Sequence, residues 1–228
     1  MSRISVDEIQ SRAAAYLDQD ETTSNISSTD YSLRLKYINM ALTEWQDATH
    51  WQTLYSEYNV LVSTSTGNAS IALPRNFRKL ASYPLITHDG VTTDTFSETP
   101  PQSQAQYLST DKRIEILGNP NSSYTMRVYG VTLVSGASVK VPYYMSAGSL
   151  ASPADIAEIP NGDFLTKRTI AYVLEAREDA RFPGLKDEAD RILANMIDFE
   201  NVFSQASTDD RVKTIDETKN ADFRWGRD

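Results

Sequence analysis

Apolar residues recur at helical spacing at both ends of this chain, from about residue 5 to 50 and from about 161 to 205, while the middle alternates with a period of two. Neither helical end is long enough to bury much apolar surface alone. The two ends are therefore expected to pack together into one body that presents the middle as a second module. The expected fold is α+β: a helical bundle from the N- and C-terminal helices, with an inserted antiparallel β-sandwich or small barrel and an extended C-terminal tail. The corresponding boundaries are 1–54 and 151–206 for the two halves of the helical domain, 55–150 for the β domain and 207–228 for the tail.

The chain has 228 residues, of which 40% are hydrophobic and 10% aromatic, enough for a real core. No apolar run reaches the length of a membrane span, and Met1 to Ser5 lack the apolar region of a secretory signal, so the expected setting is a cytoplasm. There is no cysteine, which excludes disulfides, thiolate metal sites and cysteine nucleophiles. The two histidines, His50 and His88, fall in different modules, and neither has a second histidine at metal-ligand spacing; both read as structural. A formal charge of −9 argues against broad nucleic-acid grip, which comes from Lys and Arg neutralising phosphates.

Along the chain, Ser5 with Glu8 forms a capping box and Ile4 with Ile9 a hydrophobic staple, so a helix starts here with Val6, Ile9, Ala13 and Leu17 on its apolar face. Asp18 to Thr29 reads as a polar loop. Next comes a core helix on which Leu35, Ile38, Leu42 and Trp45 share a face while Arg34, Lys36 and Glu44 point elsewhere, with Trp51 following as a further core aromatic. Tyr55 to Thr64 and Ala69 to Leu73 are expected to form a hairpin. Further strands are expected at Lys79–Thr87, Arg113–Leu117, Ser123–Gly130 and Val139–Tyr144, and a helical turn or two at Gln102–Leu108.

Asn161 can cap a helix that runs through Phe164, Ile170, Ala171, Val173 and Leu174 to about Arg181, where Pro183 and Gly184 break it. Leu185, Ala189, Ile192, Met196, Phe199 and Phe203 then space a second helix at four, three, four, three and four, which makes an antiparallel helical hairpin. From Ser207 the chain is polar until Phe223, Arg224, Trp225 and Arg227, side-chain types that anchor interfaces, and the segment reads as one that docks on a partner.

The sequence contains no nucleophile elbow, phosphate loop, dinucleotide glycine fingerprint or helical zinc signature. With 31 acidic residues, carboxylate pairs such as Glu175 and Asp179 occur by abundance and read as solvated helix face. The chain is therefore expected to be no enzyme, with no catalytic residue, metal or cofactor, and its function to lie in surfaces. The polar loop tips Ser63, Thr64, Ser65, Thr66, Gly67 and Asn68, together with His88, Asp89 and Gly90, are candidate contacts of the β module.

Three phrases, in order, resemble the head-to-tail adaptor (neck) proteins of tailed bacteriophages, the family that includes the tail tubular protein A of short-tailed phages. They are Lys36 to Glu44 leading to Trp51, then Ile71-Ala72-Leu73-Pro74-Arg75-Asn76-Phe77-Arg78-Lys79-Leu80, and then Ile159-Pro160-Asn161-Gly162-Asp163-Phe164-Leu165 followed by Ala171 to Glu175. The resemblance implies a virion structural protein of the neck, made in the host bacterial cytoplasm. It would form a homo-oligomeric ring of about twelve copies, with the portal protein above, a tail or nozzle protein below and double-stranded DNA passing through. It also implies that the C-terminal segment, tipped by Phe223, Arg224, Trp225 and Arg227, docks at the portal, and that the β loops face the tail. An acidic lumen would let DNA slide without being held. Two alternatives stay open: a tail-terminator, baseplate or fibre component whose β module binds a partner or a carbohydrate through exposed tyrosines, and a carboxylate-dependent hydrolase.

Overall fold

The computed structural model describes residues 4–18, 26–62, 66–67, 70–82, 84–88, 91–93, 97–98, 112–119 and 123–222. Its contacts divide the chain into a helical unit, 1–49 with 149–228, and a β unit, 50–148. The fold is α+β, as the patterning predicts.

The helical unit opens with a two-residue strand β1 (Ile4–Ser5) and helix α1 (Val6–Asp18). The Glu8 amide donates to Ser5 Oγ at 3.2 Å, and Ile4, Val6, Ile9 and Ala13 are buried. Helix α2 (Ser28–Ala48) is capped by Ser27, whose side chain accepts from the Asp30 amide. Of its expected core face Ile38, Leu42 and Trp45 are buried and Leu35 is half-buried. Arg34 corrects the sequence reading, for it lies on the buried stripe at 2% exposure. Four residues before Ile38, it is on the same helical face, and its long stem packs there as an apolar chain would.

The β unit begins with the buried Trp51 and a 3-10 turn, Gln52–Leu54. Its first strands are β2 (Tyr55–Leu61), β3 (Thr66–Gly67), β4 (Ser70–Ala72), β5 (Phe77–Leu80), β6 (Leu85–His88) and β7 (Val91–Thr93). Then follow β8 (Ser97–Glu98), β9 (Arg113–Gly118), β10 (Tyr124–Tyr129), β11 (Thr132–Leu133) and β12 (Ser138–Met145). One sheet runs β4-β10-β9-β8 and the other β2-β12-β6-β7, with β5 also on β12, while β3 pairs with β11. Ile71, Ile114, Met126 and Val128 from the first sheet share one core with Ile86, Val139, Val141 and Tyr143 from the second, which makes a sandwich.

Two strand readings are corrected. The expected hairpin of 55–64 with 69–73 does not form, because β2 pairs with β12 and β4 with β10. Strand β12 is bonded along both edges, to β2 on one and to β6 and then β5 on the other, so a long-range pairing takes β2 from the local one. The sheet is also not purely antiparallel, since β8 runs parallel to β9. Pro142 sits in the central strand where its missing donor costs no ladder bond. Its carbonyl faces the side on which β12 changes neighbours from β6 (Ser138 to Lys140) to β5 (Tyr143 to Met145), and accepts from the Ala81 amide in the bend between them. Gly118, at φ 119°, turns β9 towards β10, and a Cβ there would meet Ser123 O at 2.0 Å.

The chain returns to the helical unit through β13 (Ile156–Ala157), which pairs antiparallel with β1. Asn161 caps helix α3 (Gly162–Ala176) by accepting from the Asp163 amide. Gly162 is required by packing, because a Cβ would lie 2.5 Å from the Ile4 side chain. Ten of the fifteen residues of α3 are buried, so it is the central helix, flanked by α1, α2 and the last helix, α4 (Phe182–Asp222).

The break between α3 and α4 falls earlier than Pro183 and Gly184. The Glu178 amide donates to Glu175 O and the Asp179 amide to Leu174 O, both at 3.0 Å, with Glu178 at φ 53°: a Schellman turn built on a non-glycine residue. Pro183 then lies in the first turn of α4, where a proline loses no helix bond. Helix α4 continues to Asp222, so residues 207–222 are helical where an extended tail was expected. No glycine or proline occurs between Gly184 and Asp222, and an established helix propagates cheaply once nucleated. Leu185, Ala189 and Met196 are buried and Ile192 is half-buried, but Phe199, expected in the core, is 69% exposed. It lies beyond the stretch that the fifteen residues of α3 cover.

Replacing Glu178 with Gly relieves the left-handed backbone and is expected to stabilise the protein by about 1 kcal/mol, against a smaller gain of unfolded-state entropy. Urea denaturation of the variant checks this; a loss of stability would contradict the turn geometry.

Candidate functional site

An open groove of about 620 Å³ lies on the helical unit. Lys36, Asn39, Met40, Thr43 and Asp47 line it from α2, and Tyr172 of α3 with Ser149 close its other side. Residues 36, 40, 43 and 47 are three or four apart, so one exposed helix face forms the wall. Glu44, which also reaches the groove, is the hinge of its chemistry.

Arg168 of α3 is 7% exposed and lies against Glu44 of α2. Its Nε donates to Glu44 Oε2 at 2.6 Å, and one terminal nitrogen donates to Glu44 Oε1 and forms an ion pair with Asp190 of α4 at 2.9 Å. The Tyr172 hydroxyl donates to Glu44 Oε2 at 2.9 Å, and the Tyr172 ring packs 5.7 Å from that of Tyr37. One guanidinium thus ties three helices, in the two-pronged geometry that lysine cannot supply. Burial alone would raise the Glu44 carboxyl, but hydrogen bonds from Arg168 and Tyr172 outweigh it and hold the group below its usual range. Burial first, then the bond to Glu44, pushes the Tyr172 hydroxyl up to about 12.

A paired carboxylate held ionised and a phenol held neutral have no proton to exchange near neutrality. The cluster is a structural clasp at the base of an open groove, which suits docking better than acid–base chemistry. Among the described residues no group of three or more His, Asp or Glu side chains is placed to hold a metal ion, and no helix is long and apolar enough to cross a membrane.

Asn39 supplies a second clasp. Its Oδ1 accepts from the Leu150 amide at 2.8 Å and its Nδ2 donates to the Leu150 carbonyl at 2.9 Å, so one side-chain amide satisfies both backbone polar groups of the residue at which the chain re-enters the helical unit.

The sequence-predicted contact residues are not gathered at this groove. Phe223, Arg224, Trp225 and Arg227 lie outside the described residues, as do Ser63, Thr64, Ser65, Asn68, Asp89 and Gly90, and the helical turn expected at Gln102–Leu108. Thr66 and Gly67 are strand residues, paired with Leu133 and Thr132, and His88 is the strand partner of Val91. These three are therefore ladder positions, a correction that follows from backbone pairing claiming them. Glu44 and Arg168 were missed as a pair because periodicity places residues on faces without saying which distant face they meet. The available signal was a lone arginine inside the apolar period Phe164, Leu165, Ile170, Ala171 of α3.

No family model matches the chain, and no curated protein matches it.

The Glu44 carboxyl has a lower pKa folded than unfolded, so its contribution is complete above the ordinary carboxylate range and is lost as pH falls from that range through the lower folded value. Glu44→Gln is therefore expected to flatten the acid limb of the stability profile. Glu44→Ala, which leaves the half-exposed Asp190 as the carboxylate partner of Arg168, is expected to cost about 3 kcal/mol at neutral pH. Urea denaturation across a pH series measures both.

Proposed function

We propose that this chain is a head-to-tail adaptor of a tailed bacteriophage, one subunit of a ring that joins the portal to the tail and leaves a channel for DNA. The observation that carries the reading is the discontinuous helical unit, which closes upon itself across an inserted β unit. A body built this way carries its second module as an insertion between the first and second halves of its own sequence, a plan that suits a connector between two partners.

The phrases that resemble the family coincide with the residues that make this closure. Lys36 to Glu44 contains both clasps of α2, Asn39 and Glu44. Ile159 to Leu165 contains the Asn161 cap and the Gly162 contact with Ile4. Ile71 to Leu80 runs from β4 into β5 and carries the sandwich-core residues Ile71, Leu73 and Phe77. A net charge of −9 suits a protein that DNA slides past and that does not hold it. On this reading the C-terminal segment reaches the portal as a helix followed by Phe223, Arg224, Trp225 and Arg227.

The test is a pull-down of the chain, intact and truncated after Ala206, with the portal ring of the same genome, viewed by electron microscopy. Ring-shaped decoration by the intact chain and its loss on truncation are expected. Absence of binding by both forms would contradict the reading.

A further inference from the structure

One edge of the β sandwich differs from the others. Among the described residues the other strands with an unpaired edge are short: three residues in β4 and in β7, two in β8, and four in β5, which pairs only with β12. Strand β2 ends its sheet with seven residues, about 23 Å of backbone. It contains no proline or lysine, the residues that keep newcomers from such an edge, and no bulge interrupts its register with β12. Its Leu61 and Tyr55 are 76% and 43% exposed.

The phase of the ladder shows which groups this edge presents. The Ala81 amide donates to the Pro142 carbonyl at 3.0 Å, so the backbone polar group of Pro142 faces away from β2. Glu57, the register partner of Pro142, is then in a non-hydrogen-bonded pair, and its own N–H and C=O point away from β12. Val62, whose amide donates to Ala137 O and whose carbonyl accepts from the Gly136 amide, both at 2.9 Å, fixes the same phase. The edge therefore presents the N–H and C=O of Glu57, Asn59 and Leu61, and among the described residues none of these groups has a backbone partner. Tyr55 adds its C=O, its N–H being bonded to Gln52 O. The complement of such a row of donors and acceptors is an extended backbone.

Side chains set the order of the partner's residues. Tyr55, Glu57, Asn59 and Leu61 are exposed and lie on one face, while Tyr58 and Val60 pack on the sandwich core. Glu57 is the one charged residue of β2. Its Oε2 pairs with Lys140 Nζ at 2.8 Å and its Oε1 accepts from the Tyr55 hydroxyl at 2.9 Å, contacts that hold the carboxyl below its usual range. Lys140 belongs to β12, on the inner side of β2, so an added strand meets the carboxylate first. A lysine or arginine across from Glu57 is favoured there and a carboxylate is repelled, while an apolar side chain across from Leu61 covers the exposed leucine.

We propose that β2 takes an extended segment of a partner protein as an added antiparallel strand, with an apolar residue of that segment facing Leu61 and a lysine or arginine facing Glu57. In this orientation the apolar residue precedes the basic one by four positions. Antiparallel addition continues the pattern of the sheet, in which β2, β12, β6 and β7 all pair that way. The inference goes beyond the adaptor reading and does not rest on it.

The probe is a random peptide library displayed on yeast and selected for binding to the full chain; a selected peptide is then synthesised and titrated by fluorescence anisotropy against variants. Asn59→Pro removes an N–H that serves only the free edge, so the ladder with β12 keeps every bond. Asn59→Ala changes the side chain alone, and Glu57→Lys reverses the charge; circular dichroism verifies the fold of each. Enriched peptides are expected to carry the apolar and basic residues in the stated order and spacing. Asn59→Pro is expected to weaken binding at least about tenfold, Asn59→Ala to leave it within about twofold, and Glu57→Lys to select acidic residues in place of basic ones. No enriched pattern, or equal binding by the wild type and Asn59→Pro, would overturn the proposal. So would a wild-type dimer, seen by analytical ultracentrifugation, that Asn59→Pro dissolves, since a second copy would then occupy the edge. Should Asn59→Pro fail to fold, the charge exchange decides: an unchanged preference of Glu57→Lys for basic residues would overturn the proposal.

Discussion

Everything in the helical unit depends on closing a core whose two halves are separated by about a hundred residues of inserted chain. For an unfolded insert, bringing such ends together costs of order 4 kcal/mol in chain entropy. The β unit reduces that cost, because its first strand and its last are antiparallel neighbours. Tyr55 at the start of β2 stands opposite Tyr144 near the end of β12, so the pairing that builds the sheet delivers both ends of the insert to the same place. The helical halves then meet through three links of different chemistry: the β1–β13 ladder, the pair of hydrogen bonds between the Asn39 side chain and the Leu150 backbone, and the guanidinium of Arg168 on Glu44 and Asp190. Apolar packing around α3 supplies most of the free energy, and the polar links fix which residues face one another.

The split into helical ends and a stranded middle was legible because hydrophobic period is set locally, and α1, α2, α3 and the strands β9, β10 and β12 lie where the pattern places them. Capping at Ser5 and Asn161 was legible for the same reason. Partner choice was not. The alternation in 55–61 identifies a strand but says nothing of whether its neighbour is ten or eighty residues away, and the structure chooses β12. The helix break was misplaced because proline was read as an ending, although in a first turn it is compatible with a beginning; the left-handed Glu178 had no sequence signature at all. Phe199 shows the limit of the heptad argument. The spacing that packs Leu185, Ala189 and Met196 continues through it, while the helix that covers them does not.

That mismatch bears on function. A helix that keeps its apolar spacing after its own partner has ended leaves a ridge on the surface, and the groove over the Glu44 clasp is a concave feature of the same unit. Glu44 and Tyr172 in the groove have no proton to exchange near neutrality, and among the described residues no metal-ligand cluster is present. Ridge and groove are both surface features open to a docking partner.

The central claim is that the chain ends fold as one cooperative unit across an insert that is stable in its own right. Native-state hydrogen exchange tests it most directly, by comparing opening free energies for Ile38–Trp45 in α2, Phe164–Leu174 in α3 and Val139–Tyr144 in β12. The account predicts that the α2 and α3 amides open together, that weakening the Arg168 clasp lowers both by the same amount, and that β12 does not move with them. Independent opening of α2 and α3, or an equal shift in β12, would contradict it.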